Sequence, residues 1–213
     1  MALATSILWL SVALGLSYLW ILPREKTLFR AAWKTLPVLL LALYALLVGA
    51  HPLLVLALAL GALGDLSLAF EGDRAFVGGV AFFLSAHVAY IALLLMLADP
   101  AIAFGEPWRI IAGAVIALLT CGVLFRIWGA AGRMAVPIGI YVLLFMILVW
   151  LTLGLANPLV LVGAALFILS DIVLAIRKYW SGPNHPRDSQ AAHFVWVTYY
   201  AAQVVLTLTL SDY

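Results

Sequence analysis

PLVLVGAALFILSDIVLAI, residues 158–176, is an apolar run that carries one ionisable side chain, the carboxyl group of Asp171. A helix of about 20 apolar residues crosses the hydrocarbon of a bilayer, so this run has the length of a transmembrane helix. The rest of the chain has the same character, because 67% of its 213 residues are hydrophobic and only 9% are charged. A soluble domain of this size cannot bury so much apolar surface. The sequence therefore predicts an all-α integral membrane protein.

Seven further apolar runs of similar length are separated by short segments that hold nearly all the charges. The eight predicted transmembrane helices lie near 3–21, 34–50, 52–70, 75–97, 108–127, 134–154, 158–176 and 190–210. The first run has no basic segment before it and no small-residue cleavage site after it, so we expect a retained helix and not a signal peptide. Because the loops are short, the sequence predicts a single polytopic membrane domain over residues 1–213.

Lysine and arginine are distributed unevenly over the loops. With the N-terminus outside, ten of the 11 fall on the cytoplasmic side: Arg24, Lys26, Arg30, Lys34, Arg74, Arg126, Arg133, Arg177, Lys178 and Arg187. Only Arg109 falls on the other side. Positive residues in short loops favour the cytoplasm, so we expect both termini on the non-cytoplasmic side. The short loops and the lack of a targeting segment favour a bacterial cytoplasmic membrane.

Two carboxyl groups lie inside predicted transmembrane helices, Asp171 and Asp65, the latter in GALGDLSLAF (61–70). An ionisable group in hydrocarbon costs about 2.5–3.5 kcal/mol, which makes each a candidate functional residue. Each precedes the inner end of its helix by about five residues, or about 7–8 Å. This shared depth predicts one common site. No lysine or arginine within the hydrocarbon is expected to pair with either aspartate, although Lys34 at the inner mouth of the second helix could reach one or remain at the interface.

A weak internal repeat also relates the two aspartates. An offset of 106 residues superposes Asp65 on Asp171, Leu68 on Leu174, Ala69 on Ala175 and His87 on His193. Four helices separate the equivalent positions, so the repeat is predicted to be a parallel 4+4 duplication, an arrangement that places sites between its halves.

Other polar side chains form stripes on two of the predicted helices. Phe83, His87 and Tyr90 share one face of the fourth. On the last helix, a spacing of three or four residues places polar and aromatic side chains on one face. This face carries His193, Trp196, Tyr200 and Gln203, with Thr198 and Tyr199 beside it. A single histidine or tyrosine within a membrane most often only hydrogen-bonds between helices. Near the interface, His193 and Tyr199 need no functional explanation.

Four segments together resemble the YhhN-like lysoplasmalogenase family: GALGDLSLAF (61–70), FLSAHVAY (83–90), GAALFILSD (163–171) and TYYAAQ (198–203). The resemblance covers nearly the whole chain. It implies an eight-helix membrane hydrolase that cleaves the vinyl ether bond of lysoplasmalogens with choline or ethanolamine headgroups, releasing a fatty aldehyde and a glycerophospho-alcohol. The implied partner is a lysophospholipid in the bilayer. The chain departs from the family's Lys-Pro pair, which is here Lys34-Thr35-Leu36-Pro37, and His193 is not part of the family's pattern.

Vinyl ether hydrolysis needs an acid and an anion. A proton is transferred to the β-carbon, and water then attacks the oxocarbenium-like species to give a hemiacetal, which collapses to an aldehyde and an alcohol. Two carboxyl groups at low dielectric suit this chemistry, as they do in glycoside hydrolysis. We therefore predict Asp65 and Asp171 as the catalytic pair, with either one as the acid. Supporting or substrate-binding roles are predicted for His87, Tyr90, Tyr199, Gln203, Ser170 and Lys34.

Two other classes of membrane protein are alternatives to this hypothesis. A zinc hydrolase needs about three histidines near one metal, whereas the four histidines are dispersed along the chain, at His51, His87, His185 and His193. A proton-coupled transporter would use the two aspartates as a relay, and broken helices with proline or glycine at mid-membrane would favour it. The prolines Pro37, Pro52, Pro137 and Pro158 instead lie near the ends of predicted helices.

The sequence also limits the partners. We predict no metal and no cofactor, because the single cysteine, Cys121, lies in an apolar run and offers no thiol cluster. No basic segment is interleaved with aromatic residues, so we predict no nucleic-acid partner. The oligomeric state is left open.

Overall fold

A computed structural model describes residues 2–181 and 186–213 of the chain, and every regular element in these residues is helical. The helices are α1 (Ala2–Ile21), α2 (Leu28–Leu47), α3 (Pro52–Leu68), α4 (Asp73–Leu97), α5 (Pro100–Gly105), α6 (Pro107–Ala131), α7 (Ala135–Leu153), α8 (Leu159–Ile176) and α9 (Asp188–Leu210). A 3-10 turn, Gly132–Met134, joins α6 to α7, and a π-helical turn, Arg177–Ser181, extends α8. The structure thus confirms the predicted all-α class.

Six helical segments of the described residues are long and apolar enough to cross a membrane: Ala2–Ile21, Leu28–Leu47, Asp73–Leu97, Pro107–Leu153, Leu159–Trp180 and Asp188–Leu210. The 47-residue segment Pro107–Leu153 contains both α6 and α7. Helix α3 is also apolar but is shorter, with 17 residues. These helices make the chain an integral, multi-pass membrane protein.

Helix α2 begins well before residue 34, where the apolar pattern placed its start. The side-chain oxygen of Thr27 accepts a hydrogen bond from the backbone N–H of Arg30 at 3.2 Å and caps the helix. As a consequence, Lys34 lies more than one turn inside α2. Pro37 also lies within the helix and not at its end.

The described residues form two compact units. Unit one comprises Met1–Leu93 and Thr207–Tyr213. In this unit, Ser11 of α1 donates a hydrogen bond to the carbonyl of Pro37 at 2.7 Å, and the indole N–H of Trp33 donates to the hydroxyl of Ser17 at 2.9 Å. These bonds join α1 to α2.

Unit two comprises Leu94–Leu206. The buried guanidinium of Arg109, on α6, donates to the carbonyls of Leu153 at 3.1 Å and Leu155 at 2.8 Å. The same side chain pairs with Glu106 at 2.9 Å. Arg109 therefore caps the C-terminal end of α7, where carbonyls have no partner within the helix. Hydrogen bonds from Arg109 and Trp108 lower the pKa of the exposed Glu106 carboxyl.

Candidate active site

Asp65 lies on α3 in unit one and is 1% exposed. The ammonium group of Lys34 lies 3.2 Å from its Oδ1 atom and donates to its backbone carbonyl at 3.4 Å. Of the two alternatives that the sequence leaves open for Lys34, the structure shows the contact with an aspartate, Asp65. The reason is the early start of α2, which carries Lys34 inside the helix and beside α3.

The Lys34–Asp65 pair places two opposite charges in the interior of unit one. At this separation, each charge offsets the other, and removing one member of a buried pair leaves an uncompensated charge that costs about 3–5 kcal/mol. The contact holds the carboxyl group of Asp65 on the side of α3 that faces α2. It also fixes the side chain of Lys34, which is only 16% exposed.

Two residues that were not predicted stand near this pair. Tyr18 of α1 is 2% exposed, and its hydroxyl is hydrogen-bonded to Arg30. Arg30 and Lys34 are one turn apart on α2, a spacing that puts them on one face of the helix. That spacing was visible in the sequence, but the contribution of α1 was not.

On its other side, α3 approaches α4 closely. A Cβ atom added at Gly64, the residue before Asp65, would lie 2.7 Å from the ring of Phe83. Glycine at this position allows the two helices to pack at short distance, as small residues do between membrane helices. The imidazole Nδ1 of His87 lies 2.7 Å from the carbonyl of Phe83, and His87 and Tyr90 are both buried.

Asp171 lies on α8 in unit two and is partly exposed. The phenol of Tyr141 on α7 donates a hydrogen bond to its Oδ2 atom at 2.7 Å. Among the described residues, no lysine or arginine lies within salt-bridge distance of this carboxyl group. Tyr141 was not predicted, because a single tyrosine in the run PIGIYVLLF (137–145) has no pattern that separates it from an ordinary packing residue.

Aromatic side chains extend from the Tyr141–Asp171 contact into unit two. One turn along each helix, Phe145 of α7 packs on Phe167 of α8, with ring centroids 6.1 Å apart. Phe167 then meets the ring of Tyr199 on α9 edge-on at 5.5 Å. Edge-to-face pairs of this kind fix the relative rotation of helices. The carboxyl group of Asp171 is thus held on a well-packed face.

Comparison with known proteins identifies the family to which the chain belongs. Residues 29–210 match the sequence profile of the YhhN family. The chain belongs to the YhhN family. It is 32% identical over 193 residues to the lysoplasmalogenase of Mycobacterium bovis, a match that covers 84% of this chain and 69% of the relative. It is 33% identical over 207 residues to human lysoplasmalogenase TMEM86B, which covers 90% of this chain and 79% of the relative. No solved structure matches significantly.

The family assignment confirms the resemblance seen in the sequence. The roles of the supporting residues in this YhhN family member stay predictions. Three of those residues have structural partners in unit two. Ser170 donates to the backbone carbonyl of Val195 at 3.1 Å and links α8 to α9, and the amide of Gln203 donates to the hydroxyl of Tyr199 at 3.2 Å.

Other polar residues of this YhhN family member are engaged elsewhere. The guanidinium of Arg177 makes two hydrogen bonds to the carboxylate of Asp188, at 2.8 and 2.9 Å, so its charge is offset within the protein. The half-buried His193 bonds to the carbonyl of Ser189 on its own helix. His185 lies outside the described residues. Within the described residues, no group of three or more His, Cys, Asp or Glu could hold a metal ion.

Proposed function

We propose that this YhhN family member hydrolyses the vinyl ether bond of lysoplasmalogens, releasing a fatty aldehyde and a glycerophospho-alcohol. The observation that carries this proposal is the identity of 32–33% to relatives named lysoplasmalogenases, spread over 84–90% of the chain. The relatives come from a bacterium and a mammal. The apolar helices suit a lysophospholipid whose alkenyl chain lies in the bilayer.

The proposed catalytic groups are the carboxyls of Asp65 and Asp171. The reaction needs one group that gives a proton to carbon and one anion that activates water or balances the developing cation. Both aspartates lie in the C-terminal half of apolar helices, Asp65 in α3 and Asp171 in α8. Lys34 serves as the counter-ion of Asp65, which its distance of 3.2 Å supports.

Substrate-binding roles are proposed for the remaining polar residues. His87 and Tyr90 orient a carboxyl group or water, and Tyr199, Gln203 and Ser170 hold the glycerol or the developing hemiacetal. The phosphate of the headgroup stays near the inner interface, where basic side chains attract it. These roles are supported by the burial of His87, Tyr90 and Gln203, since buried polar groups in a membrane protein are costly to keep.

We further propose eight transmembrane helices in one membrane domain, with both termini outside the cytoplasm, in a bacterial cytoplasmic membrane. The distribution of lysine and arginine supports the orientation. A parallel 4+4 repeat is supported by the composition of the units, since unit one contains α1, α2, α3 and most of α4, and unit two contains α6, α7, α8 and most of α9.

The proposal is tested with purified protein in detergent and a lysoplasmalogen, by measuring the release of fatty aldehyde. We expect activity in the wild type, and a loss of about 100-fold or more in Asp65→Asn and in Asp171→Asn, because each removes an ionisable group from the reaction. Asp212→Asn is the matched control, since that exposed carboxyl follows the last helix. Wild-type protein that releases no aldehyde would refute the function, and a fully active aspartate variant would refute the paired mechanism.

A proton-coupled transporter that uses Asp65 and Asp171 as a relay is the second candidate. The position of Pro37 inside α2 favours it, because proline interrupts the backbone hydrogen bonds of a transmembrane helix. Proteoliposomes that hold a pH-sensitive dye distinguish the two candidates. Proton uptake without aldehyde release would favour transport, whereas aldehyde release without proton uptake would favour the hydrolase.

A further inference from the structure

The two aspartates differ in the groups that contact their carboxyl oxygens. Asp65 has an ammonium group at 3.2 Å, whereas Asp171 has the hydroxyl of Tyr141 at 2.7 Å. An isolated charge in hydrocarbon is expensive, but a neutral carboxylic acid or a matched ion pair is not. The contact with Lys34 therefore suits an ionised Asp65. Among the described residues, Asp171 has no lysine or arginine within salt-bridge distance, which suits a carboxyl group that carries its proton until the substrate takes it.

We infer that Asp171 is the proton donor to the vinyl ether and that Tyr141 is a positioning residue that holds its carboxyl group for the transfer. This inference rests on the proposed function. It divides the roles that the sequence left interchangeable between Asp65 and Asp171.

The geometry also identifies the oxygen that gives the proton. Tyr141 donates to Oδ2 of Asp171, so that atom acts as an acceptor and the transferable proton is carried on Oδ1. Rotation of the carboxyl group is restrained by this bond. The helices that carry the two groups are themselves held by the Phe145–Phe167 contact one turn away and by the bond from Ser170 to α9. Fixed orientation of a reacting group lowers the barrier of its reaction.

The proposed step balances without a further reactant. The Oδ1–H bond of Asp171 breaks as the π electrons of the alkene form a new C–H bond at the β-carbon. The positive charge is shared by the α-carbon and the ether oxygen. Water adds to the α-carbon and loses a proton, which restores the acid. The hemiacetal then forms the C=O bond of the aldehyde as its C–O bond to glycerol breaks, and its hydroxyl proton moves to the glycerol oxygen. The net change is the addition of one water molecule.

The hydrogen bond from Tyr141 to Asp171 predicts whether a stronger donor at position 141 raises or lowers the rate of aldehyde formation. Donation to Oδ2 stabilises the carboxylate that remains after the proton has left, and so makes Asp171 a better proton donor. If Asp171 were instead the base that activates water, the same hydrogen bond would weaken it. A stronger hydrogen-bond donor at position 141 should therefore accelerate the reaction if Asp171 acts as the acid and slow it if Asp171 acts as the base.

The experiment compares phenylalanine, tyrosine and 3-fluorotyrosine at position 141 in the full-length protein. The fluorinated phenol is a stronger hydrogen-bond donor of nearly the same size. The single-turnover rate of aldehyde formation and the KM are measured for each. We expect Tyr141→Phe to lower the rate about tenfold or more and 3-fluorotyrosine to raise it about twofold, with the KM within about twofold throughout. The same two replacements at Tyr44, on α2 in unit one, are the matched control.

The outcomes separate the inference from the proposed function. A wild type that releases no aldehyde refutes the function itself. If the wild type is active, the acid role of Asp171 requires the rate to increase from phenylalanine to tyrosine to 3-fluorotyrosine at position 141. Any other order overturns that role. An effect confined to the KM, or one of equal size at position 44, overturns the positioning role of Tyr141. The fluorotyrosine protein keeps the test decisive if Tyr141→Phe does not fold.

Discussion

Lys34 and Asp65 form an ion pair between neighbouring helices, α2 and α3, within unit one. We expect Lys34→Met to destabilise the protein by about 3–5 kcal/mol, because it leaves a buried carboxylate without its counter-charge. Replacing both residues, as Lys34→Met with Asp65→Leu, should recover most of that loss. The measurement is thermal unfolding in detergent, followed by tryptophan fluorescence.

The matched control is Lys26→Met, which breaks the exposed ion pair of Lys26 with Glu71. Exposed pairs contribute about 0–1 kcal/mol, so this variant should unfold almost as the wild type does. Equal stability losses for the two lysine variants would contradict the view that the buried pair holds α2 against α3.

At the scale of single residues, the sequence identified the aspartates but not all of their partners. Asp65 and Asp171 stand out because a carboxyl group in an apolar helix is unusual wherever it is found. Tyr18 and Tyr141 do not stand out, since tyrosine occurs in many membrane helices and its importance here depends on how each helix is rotated toward its neighbour. The apolar pattern alone suggests the membrane interface for Lys34, because it does not reveal the cap at Thr27, which starts α2 early.

At the scale of helices, the close contact between the end of α7 and the start of α5 depends on a glycine. A Cβ atom added at Gly154 would lie 2.9 Å from the backbone carbonyl oxygen of Asp99. Backbone atoms cannot rotate away as a side chain can, so we expect Gly154→Ala to destabilise the protein by about 1–3 kcal/mol. Thermal unfolding in detergent measures the change.

Gly122→Ala is the matched control, because an added Cβ atom there, on α6, meets no atom within 4 Å. Alanine has a higher helix propensity than glycine, so this variant should be neutral or more stable by up to about 1 kcal/mol. Destabilisation by Gly122→Ala, or its absence in Gly154→Ala, would contradict the packing argument.

The helices themselves were largely predictable, because about 20 apolar residues in a row have few other ways to fold. The short helix α5 was not predicted, although it starts with a recognisable signal: Asp99 caps it by accepting from the N–H of Ala101 at 2.8 Å, and Pro100 is its first residue. Its length is below that of any transmembrane helix. It therefore does not form one of the long apolar runs from which the helices are predicted.

At the scale of the whole molecule, Arg109 is the exception to the charge distribution that predicts the orientation. Its guanidinium is buried and bonds to the carbonyls at the end of α7. A side chain that is needed to cap a helix is retained for its hydrogen bonds, whichever side of the membrane it faces. Arg109 is therefore weaker evidence against the predicted orientation than an exposed arginine in a loop.

The orientation can be measured with cysteines and a maleimide that does not cross membranes. The native Cys121 is first removed by Cys121→Ala, and single cysteines are then placed by Glu25→Cys, between α1 and α2, and by Tyr213→Cys, at the C-terminus. Both positions are exposed. Because the basic residues around Glu25 favour the cytoplasm, intact cells should label Tyr213→Cys at once and Glu25→Cys only after the membrane is permeabilised. The opposite pattern would mean that the topology is inverted and that the C-terminus lies in the cytoplasm. Labelling of both positions in intact cells would mean that both lie on the outer face. An even number of helices would then cross the membrane between residues 25 and 213, which would contradict the proposed eight-helix topology.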